Sequence, residues 1–489
     1  MTTVRTRIAP SPSGFLHIGT AKTAMYNWLL ARKTGGAFVL RLEDTDAERT
    51  DEAYVQAMCE GFRWLGILWD EGPEFGGEAA RGGHGPYRQS ERRQIHRQHA
   101  LRLVDEGKAY KCFATKEEIE AFRAEHPHAR FVSPWREAAP EQVAAMGDAP
   151  YAVRFKVPDG ETVLNDLIQG EVRWKNAEYD DFVILKQNGD PIFHLAVVVD
   201  DGLMKITHVI RGDDHLTNTP RHIMLFNALG FPLPQFAHHP LVHDEQGRKY
   251  SKRLHGANVL DWRADGYLPE TIINYISLLG WTSEEENREF FTLEELIQLF
   301  TIERLGKSPA RFDRKKLDWL NGQHIRRLSI ETLRDRVVPI LEQAGFDTRG
   351  KSPEWLTQMA AICHEKLPTL KHIVQQTDFF FRDITEYEEK GIRKQWRKEG
   401  AAERMQQALA AMEGVTAWTH EALHAAFEQL AESTGTKLGQ FVNPVRLALT
   451  GKTVGPGLFE LAELLGREGC IARMRQAIAF IHNLGEDTA

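Results

Sequence analysis

The sequence predicts an α/β protein: an open-sheet domain divided in two by an inserted α+β region and followed by an all-helical C-terminal region. Three observations predict it. Val4, Thr6 and Ile8 alternate with Arg5 and Arg7 before a proline-punctuated loop that runs into helical spacing. A stretch of different character, roughly Gly72 to Asp190, separates this opening from a second set of apolar strand signals. From Leu333 onward, leucine- and alanine-rich amphipathic segments dominate and strand signals are sparse.

The first strand signal, Val4 to Ile8, ends at Pro10 and Pro12, which cannot donate to a ladder. Beyond Thr20, residues Ala21, Ala24, Met25, Trp28 and Leu29 recur at helical spacing, so one face of that helix is expected against a sheet. The loop between, Pro10 to Thr20, places His17 and Gly19 at the helix mouth, where free N–H groups and the helix dipole favour an anion. Alone, this loop reads as an ordinary strand-to-helix turn with a capping threonine. Ala37 to Leu42 is the second strand signal.

The intervening region opens with Gly72, Gly76, Gly77, Gly82, Gly83 and Gly85, then carries Arg92, Arg93, Arg97 and Arg102 on a helix-like segment. Those arginines suit an RNA backbone or a solvated helix face equally. Thr115 with Glu118 spells a capping box. Ile192 to Val199 is a nearly continuous apolar run, read as a strand buried on both faces, and Thr207 to Ile210 as another that ends at Arg211-Gly212-Asp213-Asp214. Asp244-Glu245-Gln246-Gly247 reads as a turn delivering Lys249, Lys252 and Arg253 on a polar segment with few apolar anchors. By itself a basic loop is usually just solvated. Thr292 with Glu295 caps a further helix.

Composition bounds the class. A chain of 489 residues is too long for one core, so several domains are expected. A net charge of −8 argues against indiscriminate nucleic-acid binding but not against local basic surfaces. The four cysteines, Cys59, Cys112, Cys363 and Cys470, are far apart and suggest a reducing cytoplasm. The chain enters a strand within a few residues, so no targeting segment is expected, and no apolar run is long enough to span a bilayer.

Pro10 to Thr20 and Gly247 to Arg253 together resemble the HIGH and KMSKS signatures of class I aminoacyl-tRNA synthetases. Arg5 to Pro12, Leu40 to Asp46, Gly85 to Arg92, Val197 to Asp201 and Val209 to His215 follow in the order of bacterial-type glutamyl-tRNA synthetase. Lys437 to Gly439 and Leu447 to Gly451 extend the likeness towards the C-terminus. The resemblance implies a Rossmann-like nucleotide-binding domain (1–75 and 191–255) split by an acceptor-stem-binding domain (76–190). A stem-contact domain (256–325) and helical anticodon-binding domains (326–489) would follow. An all-helical C-terminal region separates glutamyl enzymes from the β-barrels of glutaminyl-tRNA synthetases.

What the family does is then the expected activity: ATP-dependent conversion of L-glutamate to an acyl adenylate and transfer to the 3′ adenosine of tRNA(Glu), with tRNA(Gln) left open as a second acceptor. The resemblance assigns His17, Gly19, Lys249 and Lys252 to catalysis, and Thr20, Asp214 and Ser251 with them to ATP. It turns Arg7 and Arg211 to the carboxylates of glutamate and Glu43 to its ammonium group, with Ala9, Ser11 and Phe193 nearby. Taken alone, Arg7 reads as an exposed strand residue and Glu43 as a surface salt bridge. Phe193 stands where the family often has tyrosine, so a hydroxyl is lost.

Mg²⁺ is expected only with ATP. The C-x-C zinc knuckle of some relatives is replaced by Lys111-Cys112-Phe113-Ala114, and Pro240 spoils a helical His239/His243 pair, so no structural zinc is predicted. A monomer is the family default. The rival readings are a glutamyl-queuosine-type paralogue, which would lack the helical C-terminal region, and a tRNA-independent adenylate-forming ligase, which would leave the chain beyond 255 unexplained. A non-catalytic RNA-binding protein gives no reason for His17, Gly19, Lys249 and Lys252 together.

Overall fold

The opening alternation folds as β1 (Arg5–Ile8), which pairs in parallel with β2 (Ala37–Leu40) in a register that sets Arg7 opposite Val39. The computed structural model describes residues 3–45, 51–126, 131–250 and 258–486. The chain divides into two compact units, Met1–Trp262 with Pro269–Arg314, and Arg263–Leu268 with Lys315–Ala489.

In the first unit, α1 (Ile18–Thr34) connects the two parallel strands and ends at Gly35, whose φ of 63° suits a residue without Cβ. The predicted apolar face, Ala21, Ala24, Met25, Trp28 and Leu29, is buried as expected. So are Lys22, Tyr26 and Asn27, because helix Pro269–Ser277 and helix Leu293–Leu299 cover the opposite side. Asn27 pins α1 to the sheet: its Nδ2 donates to the Ile210 carbonyl at 2.9 Å, and its own carbonyl accepts from Thr6 Oγ1 at 2.8 Å.

α2 (Glu52–Leu65) follows β2, and the inserted region then contributes α3 (Arg93–Asp105), β3 (Ala109–Cys112), α4 (Lys116–Glu125), α5 (Pro140–Ala145) and β4 (Ala152–Phe155). An antiparallel hairpin of β5 (Glu161–Asp166) and β6 (Gly170–Lys175) follows, then β7 (Val183–Leu185). β3, β4 and β7 form one antiparallel sheet. The capping box at Thr115 is present, with Glu118 N–H donating to Thr115 Oγ1 and Thr115 N–H to Glu118 Oε2; that at Thr292 and Glu295 is present too.

One expectation is overturned. Ile192 to Val199 is not a strand but the start of α6 (Phe193–Leu203), with Ile192 as its N-cap residue. A short apolar run rich in valine does not by itself distinguish a buried strand from a buried helix. The carboxylates of Asp200 and Asp201 decide the matter physically: in a strand they would point to opposite faces, whereas on α6 both turn inward. Asp200 meets Arg92 Nε at 2.6 Å and His96 Nε2 at 2.7 Å, and Asp201 meets Arg41 Nη1 at 2.6 Å. Arg92 is therefore a core residue rather than part of a solvated or RNA-facing helix side.

β8 (His208–Gly212) and β9 (Gln235–His239) form the second parallel pair, linked by α7 (Thr219–Leu229). The Thr207 N–H donates to the Arg5 carbonyl at 2.9 Å, which sets this pair beside β1. The β1–β2 and β8–β9 pairs thus lie side by side.

The second unit is helical, and no strand occurs among its described residues. Leu333, Val337, Leu341, Met359, Phe441 and Leu447 belong to its buried core. No helix among the described residues is long and apolar enough to cross a membrane.

Two depressed carboxyls give the first unit an acid-sensitive stability. Burial alone would raise Glu71 and Asp200. Hydrogen bonds to Glu71 from Arg5 and Tyr87, and to Asp200 from His96 with the charges of Arg41 and Arg92, outweigh it and bring both down to about 2. A lowered folded value means that the unfolded chain takes up the proton first, so this stabilisation is complete above about pH 5 and drains away as pH falls towards 2. The urea midpoint should drop over that window, and Glu71→Gln should flatten the drop.

Candidate active site

The loop after β1 and the turn after β9 meet. Val259 N–H donates to the Leu16 carbonyl at 3.0 Å, and the rings of His17 and Tyr250 lie 5.8 Å apart. Tyr250 packs on Phe312 at 4.9 Å and is buried, an apolar anchor not expected in a polar loop. The predicted turn at Asp244 is present. Gly247 N–H donates to the Asp244 carbonyl, Gly247 has φ 80°, and Asp244 accepts from the Arg248 backbone and Nε. Ser251, Lys252 and Arg253 lie outside the described residues.

Between these segments is a cavity of about 360 Å³. His17, Gly19, Thr20, Asp214 and Lys249 line it together with Arg7, Ala9, Ser11, Glu43, Phe193 and Arg211. Every described residue expected to bind ATP or glutamate thus lines one space. Chain geometry explains the convergence: β1 runs parallel to β2 and β8 to β9, and Arg7, Glu43 and Arg211 stand near or just past the carboxyl ends of β1, β2 and β8, where open α/β sheets bind ligands. Glu43 N–H donates to the Pro10 carbonyl at 3.1 Å, fastening the two loops together.

His17 is the N-cap of α1, its Nδ1 accepting from the Gly19 N–H at 3.1 Å. A neutral ring so engaged carries its proton on Nε2. Among the described residues a Cβ at Gly19 would meet only His17 Nδ1, at 3.4 Å, so none of them forbids a side chain there. Lys249 is largely exposed and pairs with Asp214 at 3.2 Å.

Charged side chains near the ends of three strands also line the cavity. Arg7 is buried and Glu43 largely so, neither being the surface residue its local sequence allowed. Arg7 lies 3.4 Å from Asp201, and Glu43 lies 3.2 Å from Arg41. Burial drives the Glu43 carboxyl up against the downward pull of Arg41 and Arg7. Arg211 is pushed down to about 9, first by burial and then by the charge of Arg7, with Asp201 and Glu43 opposing. Phe193 stands half-exposed in the first turn of α6, its ring 5.7 Å from that of His222.

Several residues of the site were not picked out from the sequence. Lys22 reaches the cavity from α1, donates to the Pro240 carbonyl at 2.9 Å, and is brought down to about 7 by burial against the charge of Asp213. Arg41 and Asp201 lay inside recognised strings without being assigned a role; charged residues amid apolar neighbours were the available signal. His215 and His239 also line the cavity, His239 as the last residue of β9. His239 and His243 lie on strands rather than on one helix face. Cys112 lies 3.3 Å from Ser133 Oγ. Among the described residues no group of three or more His, Cys, Asp or Glu could hold a metal ion.

The arrangement offers a helix mouth, a lysine and an aspartate for a phosphorylated ligand, beside two buried guanidinium groups and a carboxylate for a zwitterion with an acidic side chain. Residues 3–319 match the family of class I tRNA synthetases (E and Q), catalytic domain, and residues 332–478 an anticodon binding domain. Glutamate–tRNA ligases of Moorella thermoacetica and Desulforudis audaxviator are 42% and 43% identical to this chain. They align over 98% of it and over 99% and 97% of their own lengths. A crystal structure of a glutamate tRNA ligase from Elizabethkingia meningosepticum in complex with its amino acid superposes with a TM-score of 0.88 at 32% identity, covering 98% of this chain and 99% of that one. With catalytic and anticodon-binding regions matched in order and relatives similar from end to end, the chain belongs to the glutamate–tRNA ligase family of class I aminoacyl-tRNA synthetases.

Proposed function

We propose that this cavity activates L-glutamate with ATP and transfers the glutamyl group to the 3′-terminal adenosine of tRNA(Glu). The observation that carries the reading is that His17, Lys249, Arg7, Glu43 and Arg211, drawn from distant parts of the chain, line one cavity. In the first step an oxygen of the glutamate α-carboxylate bonds to the α-phosphorus and the bond to pyrophosphate breaks. In the second, a ribose hydroxyl bonds to the acyl carbon and AMP leaves. Neither step needs a covalent nucleophile from the protein; both need positioning and charge stabilisation.

The phosphates lie at the mouth of α1, next to Gly19 and Thr20, with His17 donating through Nε2. Lys249 leaves Asp214 to follow the leaving pyrophosphate, and Lys252 and Ser251 act from the same segment. Magnesium arrives with ATP. Glu43 receives the ammonium group, beside Ala9 and Ser11. Arg211 and Arg7 receive carboxylate, and the Phe193 ring walls the pocket without supplying a hydroxyl. Burial makes a neutral amide a poor substitute, because it would leave a guanidinium without its counter-charge.

For the rest of the chain we propose that 76–190 holds the acceptor stem, 256–325 contacts the stem and 326–489 reads the anticodon. The enzyme is proposed to be monomeric and cytoplasmic; its cysteines are buried free thiols, which fits a reducing compartment.

Incubating the protein with ATP, labelled glutamate and, in separate reactions, unmodified transcripts of tRNA(Glu) and tRNA(Gln) or bulk cellular tRNA tests the reading. Acid-precipitable label on the first transcript is expected, and label on the second defines a broader acceptor range. Adenylate formed without any tRNA acylation would favour the small-molecule ligase, and label restricted to tRNA carrying a modified base would favour the glutamyl-queuosine-type activity.

Gly19→Ala separates ligand from fold. Alanine favours a helix over glycine, so the melting temperature should not fall. A methyl group facing the nucleotide should cost about 10²-fold in turnover, the scale of a 1 Å misplacement. Wild-type kinetics in this variant would remove the phosphates from the α1 mouth.

A further inference from the structure

Arg211 is embedded, yet its donors meet only uncharged acceptors. Nε donates to His238 Nε2 at 3.1 Å, Nη1 faces His222 Nδ1 at 3.3 Å, and Nη2 donates to Thr219 Oγ1 at 2.9 Å and to the His215 carbonyl at 3.4 Å. No carboxylate lies within ion-pair distance of it among the described residues. Arg7, Arg41 and Arg92, buried nearby, each have Asp200, Asp201 or Glu43.

The tautomers of the two histidines follow from what they touch. An arginine can only donate, so each ring nitrogen that faces it must offer a lone pair. His238 therefore carries its proton on Nδ1, which donates to Asp166 Oδ2 at 2.6 Å. Asp166 is fixed at the end of β5 by the backbone N–H groups of Ile168, Gln169 and His238. His222 carries its proton on Nε2, 3.1 Å from His194 Nδ1, which accepts it. Each ring is thus held in one neutral tautomer by a partner on its far side. Burial, the positive charge of Arg211 and the neighbouring His194, His215 and Arg7 all act against a second proton on His222; on His238, Asp166 pulls the other way and does not prevail.

We infer that His222 and His238 are positioning residues for amino-acid specificity: they orient Arg211 through ring-nitrogen lone pairs and leave its positive charge uncompensated for the side-chain carboxylate of the substrate. A carboxylate in either place would fix the guanidinium as well but would neutralise it. The inserted region takes part, through Asp166, in a choice made at the sheet. This rests on the reading that Arg211 receives a substrate carboxylate.

The test uses the full-length enzyme with tRNA(Glu) and compares charged with neutral replacements at each position. His222→Asn places Oδ1 where Nδ1 was, and His222→Glu places a carboxylate there; His238→Gln and His238→Glu form the second pair. Each Glu variant should raise the glutamate KM about 10- to 100-fold, the range of a charge-assisted hydrogen bond. It should lower the glutamate-over-glutamine preference by a similar factor and leave the ATP KM near wild type, while each amide variant stays close to wild type. If one Glu variant does not fold, the other position gives the same comparison. Charged and amide variants shifting the glutamate KM alike, or not at all, while Arg211→Ala raises it, would overturn the inference and leave the role of Arg211 standing. An unchanged glutamate KM in Arg211→Ala would overturn both.

Discussion

Replacing Arg211 by alanine lowers kcat/KM for glutamate by about 30- to 5,000-fold, the kinetic equivalent of the ~2–5 kcal/mol lost when one partner of a buried charge pair is removed. The size follows from its surroundings. Among the described residues Arg211 has only neutral acceptors, so a substrate carboxylate is expected to be its direct counter-ion, whereas Arg7 already shares charge with Asp201 at 3.4 Å. Arg7→Ala should accordingly cost less than Arg211→Ala, with the ATP KM steady in both. Charging assays with glutamate varied at saturating ATP and tRNA measure the difference, and the reverse ranking would mean that Arg7 is the main contact.

Asp200→Ala is expected to destabilise the first unit by about 3–5 kcal/mol, because it strands buried cations rather than merely removing a contact. Its carboxylate meets Arg92 at 2.6 Å and His96 at 2.7 Å, accepts from Gln89 at 2.9 Å and lies 3.9 Å from Arg41. Asp200→Asn keeps acceptor capacity and should cost less. Urea unfolding followed by a probe in residues 1–262 measures both. A loss under about 1 kcal/mol for alanine would mean that the arginines find other partners. The effect should also reach the cavity, because Arg41 links this network to Glu43 at 3.2 Å.

The sheet region and the cavity were legible where a residue's type and its spacing carried the same message. Proline after an alternating strand marked the first loop, and helical spacing from Ala21 to Leu29 gave α1. The capping boxes at Thr115 and Thr292 stood as written, since such a cap is local and needs only its own turn. α6 was misread because valines favour strands and the reason for a helix is tertiary: two adjacent acidic side chains must reach Arg92 and Arg41, distant in sequence. The same limit hid the histidines around Arg211. His222, His238 and Asp166 come from α7, β9 and β5, and nothing in any one of these segments announces that the three meet. Arg7 and Glu43 gained meaning only from family likeness, because burial is not written in the residues beside them.

The most direct measurement is a diffraction structure with a non-hydrolysable glutamyl-adenylate analogue. The account predicts the phosphate surrogate between the mouth of α1 at His17 and Gly19 and the segment carrying Lys249, with the ligand's side-chain carboxylate on Arg211 and its ammonium group on Glu43. A ligand that leaves Arg211 untouched, or that contacts one of the two distant segments and not the other, would contradict it.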